Sequence, residues 1–278
     1  NEHLRRLHRA GVRSLTVALP PLIDIVRASG LRFELKVSII AQINNPNKAE
    51  QYRRMGVERM VLDEGAVRRF DLIRSIVAAF GPRVEVIANS LCHKDCVYRA
   101  YHYNQTAHDS LERQGEPVRS YYNHRCMLRR AQGAEEWLKL CWVRPEDIPL
   151  YNRAGIHYFK LQGRHTVARG DPVRAAEAYF AQKYDGNLID LLELFGCPYE
   201  FKPMLDNRAL DGFLAPYWKH PDFCGNDCAR CGYCASFAKG CMPEPDTGEL
   251  SALAREFYTE FDPFTEMLNQ YQKDVEAL

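Results

Sequence analysis

Cysteine is the residue type whose spacing in this chain most directly indicates chemistry. Five cysteines crowd into the stretch CGNDCARCGYCASFAKGC, and four of them follow the pattern C-x3-C-x2-C-x2-C. Thiolates are the ligands that soft metal centres require, among them iron–sulfur clusters and zinc. The spacing therefore predicts a metal site on Cys224, Cys228, Cys231 and Cys234, with Cys241 as a spare ligand or a replacement for Cys224 or Cys234.

A 4Fe–4S cluster is the metal centre that this stretch favours. Gly225 and Gly232 would let the backbone bend around such a cluster. Structural zinc is the alternative, although zinc sites usually separate two Cys-x2-Cys pairs by a longer spacer. The first three cysteines also match the radical S-adenosylmethionine signature, but that motif usually follows the first strand of a barrel, and here it comes late in the chain.

A second group of cysteines is spread through the middle of the chain. Cys92 and Cys96 flank His93 just after a predicted strand, and Cys126 and Cys141 follow far along the sequence. Cys141 lies in an apolar run, where cysteine is often simply buried. Spacing alone leaves open whether these four residues form one site.

Short β-branched runs alternate with amphipathic stretches over the first 165 residues. This alternation predicts an α/β fold, with a parallel sheet and helices outside it. Polar residues follow the strands, as they do at the working end of a β/α (TIM-like) barrel. We therefore predict such a barrel, with its first one or two strands upstream of Asn1 or supplied in altered form. The predicted strands are Ser14–Leu19, Phe33–Ile40, Arg59–Leu62, Arg83–Ala88, Leu138–Val143 and His157–Leu161.

Several helices are marked by their ends. Asn45 and Asp171 each precede a proline and read as helix N-caps, while Gly56 and Gly81 read as helix ends. The alternation stops near residue 185. We predict two domains, a barrel with the middle cysteines over residues 1–184 and a cysteine-rich region over residues 185–278, which closes with a helix at Leu250–Phe261.

Composition limits the classes of protein. The chain has 46% hydrophobic and 26% charged residues and a net charge of +1, so no overall attraction to nucleic acid or acidic membranes is expected. No apolar run is long enough for a transmembrane helix, and no secretory pattern opens the sequence. A cytoplasmic location and metal-binding rather than disulfide-bonded cysteines are therefore expected.

Three stretches resemble the collagenase-like peptidase family, peptidase family U-thirty-two. They are VLDEGAVRRFDLI, VEVIANSLCHKDCVYRAYHYN and, after Arg125 and Cys126, WVRPEDIPLYNRAGIHYFKLQGR. The chain departs from the family pattern in the close spacing of Cys92 and Cys96, and in Asn89 and Gln162, which stand where the family has glycine and glutamate.

The resemblance implies a β/α barrel and, in several members of the family, a 4Fe–4S cluster on four cysteines. It implies that Cys92, Cys96, Cys126 and Cys141 bind that cluster. Members of this kind hydroxylate an aromatic ring or an RNA base without molecular oxygen, and other members are described as peptidases. The C-terminal cysteines are not part of the common core of the family.

Candidate catalytic residues lie mostly at the ends of the predicted strands. Glu64 is a candidate general base, or it forms an ion pair with Lys36 or Arg59. His93 is a candidate proton donor, or a surface histidine. Lys160 and Arg164 would suit a carboxylate, or they form ion pairs at the rim of the barrel. The candidate catalytic residues are Glu64, His93, Lys160 and Arg164, and the candidate substrate-binding residues are Asn44, Tyr98 and Arg164.

Three functions remain open on the sequence. The first is an iron–sulfur oxidoreductase that hydroxylates an aromatic, nucleobase or peptide substrate without oxygen. The second is a non-catalytic iron–sulfur subunit of a hetero-oligomer, and a homo-oligomer is also possible. The third is a peptidase or other hydrolase, although the chain has neither an H-E-x-x-H zinc motif nor a G-x-S-x-G motif. The oxidoreductase is the expectation that the sequence favours.

Overall fold

A five-stranded parallel sheet organises the chain. The structure is a computed structural model that describes residues 2–112, 121–163, 166–196 and 203–243, with isolated positions after that. The strands lie in the sheet in the order in which they occur in the sequence. They are β1 (Ser14–Val17), β2 (Glu34–Val37), β3 (Arg59–Val61), β4 (Val84–Ile87) and β5 (Tyr158–Lys160).

Sequential parallel order confirms the predicted α/β fold at that level. Each strand pairs with the next, as in the partners Val17 with Val37 and Ile87 with Lys160. In the described ranges, β1 and β5 occupy the two ends of the sheet. Closure into a barrel therefore stays a prediction.

A row of charged side chains crosses the middle of the sheet. Glu85 of β4 is buried and contacts Lys36 of β2, with Nζ to Oε2 at 3.0 Å, and Arg59 of β3, with Nη1 to Oε1 at 3.1 Å. A carboxylate buried in a sheet needs such partners because loss of its water is costly. Lys36 and Arg59, the expected ion-pair partners of Glu64, therefore pair with Glu85.

Two helix boundaries in the first half of the chain lie where the sequence predicts them, one a helix start and the other a helix end. Asn45 Oδ1 accepts a hydrogen bond from the backbone N–H of Lys48 at 2.9 Å, and Gly81 follows its helix with φ of +112°. These helices are α1 (Glu2–Arg9), α2 (Pro20–Ala28), α3 (Pro46–Arg54) and α4 (Phe70–Phe80). The predicted caps at both positions are confirmed.

After β4 the described elements of the chain are helices, apart from strand β5. Asp171 caps α9 through the backbone N–H of Arg174 at 2.9 Å, as predicted. The helices are α5 (Arg99–Glu112), α6 (Tyr121–Arg130), α7 (Ala134–Leu138), α8 (Ile148–Arg153), α9 (Pro172–Ala181), α10 (Leu188–Leu192), α11 (Ala215–Lys219), α12 (Cys228–Cys231) and α13 (Tyr233–Cys241).

The predicted strand at Leu138–Val143 is wrong. Leu138 ends α7, and the residues after it form only a single antiparallel bridge, between Leu140 and His93. The run is apolar because Leu140, Trp142 and Val143 are all fully buried. A short, wholly buried apolar run has no periodicity that separates a strand from other buried segments.

One hydrophobic core spans both halves of the described chain. The rings of Trp142 and Phe213 lie 5.8 Å apart between centroids, and Arg144 donates a hydrogen bond to the carbonyl oxygen of Asn207 at 2.6 Å. The division near residue 185 stays a prediction. The predicted closing helix at Leu250–Phe261 lies almost entirely outside the described residues. Among the residues described, no helix has the length and apolar character needed to cross a membrane.

Candidate functional site

A buried polar network lies where β3 and β4 end. Ser90 donates its hydroxyl to Oε1 of Glu64 at 2.6 Å, and the Tyr103 hydroxyl lies 3.5 Å from Oε2. Arg99 Nε lies 3.6 Å from the same Oε2. Glu64 is only 4% exposed, so this carboxylate is held by protein groups rather than by water. The network makes Glu64 a fixed anion of the interior.

Arg99 neutralises a second carboxylate in the same place. Its Nη1 lies 3.1 Å from each oxygen of Asp63, and its Nη2 donates to the carbonyl oxygen of His93 at 2.9 Å. Burial opposes the charge of Arg99, but Glu64 and Asp63 together raise its pKa above the ordinary value. Arg99 thus joins the segment after β3 to the loop after β4, which carries the first cysteines.

The middle cysteines fall into two pairs whose members are neighbours, Cys92 with Cys141 and Cys96 with Cys126. The backbone N–H of Cys141 donates to the carbonyl oxygen of Cys92 at 3.0 Å, so these two residues are adjacent. Burial, followed by the nearby Glu64, raises the pKa of Cys92 well above its ordinary value and that of Cys141 to about 12. Burial also raises the pKa of Cys126, with a smaller contribution from nearby Cys96. Buried thiols of this kind are poor nucleophiles at neutral pH.

The C-terminal cysteines surround a small cavity. Cys224, Cys228, Cys231 and Cys234 all line a cavity of about 90 Å³, together with Tyr217 and Phe223. Cys241 does not line it. Cys241 is buried, and its thiol donates to the carbonyl oxygen of Phe237 at 3.4 Å.

The four lining thiols fit a thiolate-binding metal by donor type. Their placement is looser than that of a formed site. Within the described ranges, no three Cys, His, Asp or Glu side chains are placed to hold one metal ion. Both predicted cysteine sites therefore stay predictions.

A larger cavity joins the two groups of cysteines. It has a volume of about 250 Å³, and its wall includes Cys141 from the middle group and Cys224, Cys228 and Cys234 from the C-terminal group. Gly65 and Val67 follow β3, and Lys94 and Asp95 follow β4, so the cavity lies at the carboxyl end of the sheet. The remaining lining residues are Arg68, Arg129, Lys139, Leu140, Tyr217 and Asn226.

Basic side chains dominate the polar wall of this 250 Å³ cavity, which we call the thiol cavity. Lys94 Nζ lies 3.9 Å from Sγ of Cys224. Arg129 and Lys139 both form ion pairs with the buried Glu136, and the Arg129 Nε to Oε2 distance is 3.0 Å. Such a wall suits anionic groups and the negative charge that develops during acyl transfer.

The structure places the predicted catalytic residues apart from the thiol cavity. Glu64 belongs to the buried network, and Lys160 is half-buried at the end of β5. Asn44 is exposed and accepts a hydrogen bond from Asn45 Nδ2 at 3.2 Å. None of these three residues lines the thiol cavity. Arg164 lies outside the described residues.

His93 is buried rather than exposed. It is 2% exposed, and its Nδ1 lies 3.9 Å from Oε2 of Glu136. Burial lowers the pKa of His93 to about 3, and the positive charges of Arg129 and Arg130 lower it further. His93 is therefore a neutral imidazole at neutral pH.

Tyr98 lies just before α5, in an aromatic group with two tyrosines of α6. Its ring centroid is 6.1 Å from that of Tyr121 and 5.9 Å from that of Tyr122, and the Arg125 guanidinium lies 5.9 Å from the Tyr98 centroid. Tyr103 is separate from this group, since it binds Glu64. Tyr98 and Tyr103 thus lie in two different surroundings.

Sequence reasoning missed the basic residues of the thiol cavity. Arg129 and Lys139 lie outside the three stretches that carry the family resemblance, whereas Arg68 lies inside the first of them. Arg68 occurs in VLDEGAVRRFDLI beside the exposed Arg69, and only burial distinguishes the two residues. No sequence signal would have selected Arg68 over its neighbour.

These features define an α/β protein with a thiol-lined cavity at the carboxyl end of its sheet. Over 238 residues the chain is 33% identical to an uncharacterized protease of Methanocaldococcus jannaschii, and the match covers 84% of this chain and 68% of that protein. The chain therefore belongs to the family of that archaeal protein. No protein-family model matches the chain, and no solved structure matches it.

This comparison corrects the function expected from the sequence. The prediction of an iron–sulfur oxidoreductase that acts as an oxygen-independent hydroxylase is wrong, because the relative carries the name of a protease. The peptidase alternative is the one that the comparison favours. The resemblance to collagenase-like peptidases agrees with that name, whereas the hydroxylase branch has no support.

Proposed function

We propose that the chain is a peptidase that hydrolyses peptide bonds in the thiol cavity. The observation that carries the proposal is the 33% identity with a protein named as a protease, over 84% of this chain. The position of the thiol cavity in the fold supports this choice of active site. Open parallel sheets and barrels bind their ligands at the carboxyl ends of the strands, where the thiol cavity lies. Its volume of about 250 Å³ suits a side chain or a short peptide end rather than a folded protein.

Cys224 is the nucleophile that this proposal assigns. It is half-buried on the cavity wall, with the Lys94 ammonium 3.9 Å from its sulfur. Ser90 is fully buried and donates its hydroxyl hydrogen bond to Glu64, so it is not available to a substrate. Cys92 and Cys141 are disfavoured by the burial that raises the pKa of each thiol.

The chemistry follows from these positions. The Cys224 sulfur attacks the carbonyl carbon of the scissile peptide bond, and the positive charge of Lys139, also on the cavity wall, stabilises the oxyanion. Lys94 gives a proton to the departing amine as the carbon–nitrogen bond breaks. Water then attacks the thioester and returns a proton to Lys94, which frees the carboxylic acid and restores the Cys224 thiolate and the Lys94 ammonium with which the reaction began.

The metal ligands are a separate proposal. Cys224, Cys228, Cys231 and Cys234 would hold a 4Fe–4S cluster or zinc, and a resident metal would fix the loop against the cavity. A 4Fe–4S cluster on Cys92, Cys96, Cys126 and Cys141 is the corresponding proposal for the middle group. A metal that used Cys224 as a ligand would exclude it as nucleophile, so metal content and activity decide between these roles.

A closed β/α barrel is the finer fold that we infer. Its support is the sequential order of β1 to β5 and the row formed by Lys36, Arg59 and Glu85 across the sheet. A cytoplasmic location, a peptide or other small substrate, and assembly with itself or with another chain stay proposals.

A peptide-cleavage assay tests the peptidase proposal. The purified chain, kept anaerobic and reduced, is incubated with a library of unstructured peptides, and new termini are identified by mass spectrometry. We expect cleavage, its loss in Cys224→Ser, and a reduction of at least about tenfold in Lys94→Met. Lys183→Met, at an exposed lysine that does not line the cavity, is the matched control. Cleavage that persists in Cys224→Ser would remove this residue as nucleophile.

A further inference from the structure

We infer that the thiol cavity contains a carboxylate-binding subsite built on Arg68, which selects peptides by their free C-terminal carboxylate. This inference rests on the proposed peptidase function and deepens it. The substrate class becomes short peptides that enter with their C-terminal end first. The positive charge of the cavity wall supports this subsite whichever residue is the nucleophile.

Arg68 is a buried cation without an anionic partner in the described part of the chain. It is 8% exposed, and its Nη1 and Nη2 donate to the carbonyl oxygens of Leu138 and Leu140 at 2.5 and 2.7 Å. Its Nε is buried and has no hydrogen-bond partner in the residues that the structure describes. A guanidinium is always protonated in proteins, so the full positive charge stays in the interior.

The surroundings of Arg68 hold it rigidly against the cavity. Its guanidinium carbon lies 4.6 Å from the centroid of the Trp142 ring and 5.0 Å from that of Phe213. These aromatic faces and the two backbone carbonyls fix the plane of the guanidinium and attract its charge, but none of them is an anion. A fixed guanidinium is the group that best matches the geometry of a carboxylate.

The nearby carboxylates are already bound to other cations. Asp63 and Glu64, which precede Gly65 on the cavity wall, face Arg99. Asp147 forms an ion pair with Arg144, with Oδ2 to Nε at 3.0 Å. Arg68 therefore has no carboxylate to neutralise it from these neighbouring segments.

The rest of the cavity wall adds to the positive charge. Lys94, Arg129 and Lys139 line it beside Arg68. Glu136 is shared by Arg129 and Lys139, and Asp95 is the one acidic residue of the wall among the described residues. Four cations thus face two carboxylates, and the cavity attracts an anion of one or two charges.

A terminal carboxylate fits this arrangement better than an acidic side chain in mid-peptide. The cavity of about 250 Å³ can admit the end of a chain, whereas an internal residue would have to bring two chain segments with it. Binding of the end at Arg68 would also present the peptide bonds near that end to the thiols on the same wall.

A binding experiment with matched peptides tests the subsite without relying on cleavage. The full chain carrying Cys224→Ser is titrated by calorimetry with three tripeptides. The first has a free C-terminal carboxylate, the second has the same sequence with a C-terminal amide, and the third is an amide with a glutamate in the middle. We expect the first to bind at least about tenfold more tightly than the other two, as for a charge-assisted hydrogen bond.

Variants identify the residues responsible. Arg68→Gln should remove the preference for the free carboxylate, and thermal unfolding shows whether that variant is folded. Because a buried arginine is also structural, Lys94→Gln is the second variant, and it should reduce the preference several-fold. Lys183→Gln is the control, since this exposed lysine lies outside the cavity and should leave binding unchanged.

Three outcomes would overturn the inference. Equal binding of the free and amidated peptides would eliminate the subsite, and cleavage of the amidated peptide by the unmodified chain would still leave the peptidase proposal standing. Equal binding of the glutamate peptide and the free-carboxylate peptide would show a side-chain site instead. A preference unchanged in folded Arg68→Gln and in Lys94→Gln would place the carboxylate elsewhere.

Discussion

The Nζ atom of Lys94 lies 3.9 Å from the Sγ atom of Cys224, a residue 130 positions further along the sequence, and this contact joins the middle cysteine group to the C-terminal group. Lys94 belongs to the loop after β4, between Cys92 and Cys96, whereas Cys224 opens the C-terminal group. The contact brings a cation of one group to a thiol of the other across the thiol cavity. It makes the chemistry of Cys224 depend on a residue far from it in the chain.

Lys94→Met should slow the reaction of Cys224 with iodoacetamide several-fold. The positive charge beside the sulfur attracts the negative charge that the sulfur carries when it attacks, and the methionine removes that attraction. Peptide mapping of alkylated protein by mass spectrometry measures the rate at each cysteine. Cys241 is the internal control, since burial raises its pKa to about 11 and should keep it slow in both proteins. An unchanged Cys224 rate would separate Lys94 from its reactivity.

Arg99→Met should destabilise the fold strongly. It would leave Asp63 and Glu64 buried without their cation, and loss of one partner of a buried ion pair costs about 3–5 kcal/mol. Chemical unfolding monitored by circular dichroism gives the free energy of unfolding.

Arg54→Met is the control for this prediction. Arg54 is exposed and pairs with Glu50 one helical turn away, so its replacement should change the free energy of unfolding by less than about 1 kcal/mol. Equal effects of the two variants would show that Arg99 does not hold the strand ends together.

Local signals in the sequence predict most of the first half of the fold. Asn45 and Gly81 determine helix ends through a side-chain acceptor and through a positive φ, and both effects act within a few residues. The predicted strand around Leu140 is wrong because the path of the backbone in this segment depends on distant contacts. Arg68 donates a hydrogen bond to the carbonyl oxygen of Leu138, which is 70 positions away in the sequence. No local pattern encodes this contact.

The candidate site was predictable only in part, for the same reason. Cysteine spacing indicated that Cys224, Cys228, Cys231 and Cys234 share one place, and they line one cavity. That this place adjoins Cys141 and Arg68 is a property of tertiary packing. Glu64 was correctly placed at a strand end, but its partners Ser90, Tyr103 and Arg99 come from later segments.

Metal content should depend on Cys228 and not on Cys241. If the C-terminal thiols hold a 4Fe–4S cluster or zinc, Cys228→Ala removes a ligand that lines the small cavity, whereas Cys241→Ala removes a thiol directed at a helix carbonyl. Anaerobically purified protein is analysed for iron, acid-labile sulfide and zinc. We expect loss of metal in the first variant only. Equal metal content in both variants would contradict the assignment of this loop as a metal site.

Acid should destabilise the fold through His93. Burial lowers the pKa of this imidazole to about 3, while in the unfolded chain its pKa is about 6.5. Between these two values the unfolded state binds a proton that the folded state does not, so the free energy of unfolding falls as the pH is lowered through that range. At pH 5 this single group would reduce stability by about 2 kcal/mol relative to neutral pH.

Urea unfolding of the unmodified chain and of His93→Gln, each at pH 7 and pH 5, measures this contribution. Glutamine keeps a polar group near Glu136 but cannot titrate, so the variant should lose less stability between the two pH values than the unmodified chain does. His157→Gln is the control, because His157 is exposed and its replacement should preserve the pH dependence. If the unmodified chain and His93→Gln lose the same free energy between pH 7 and pH 5, His93 is not the buried neutral imidazole that the packing around Glu136 indicates.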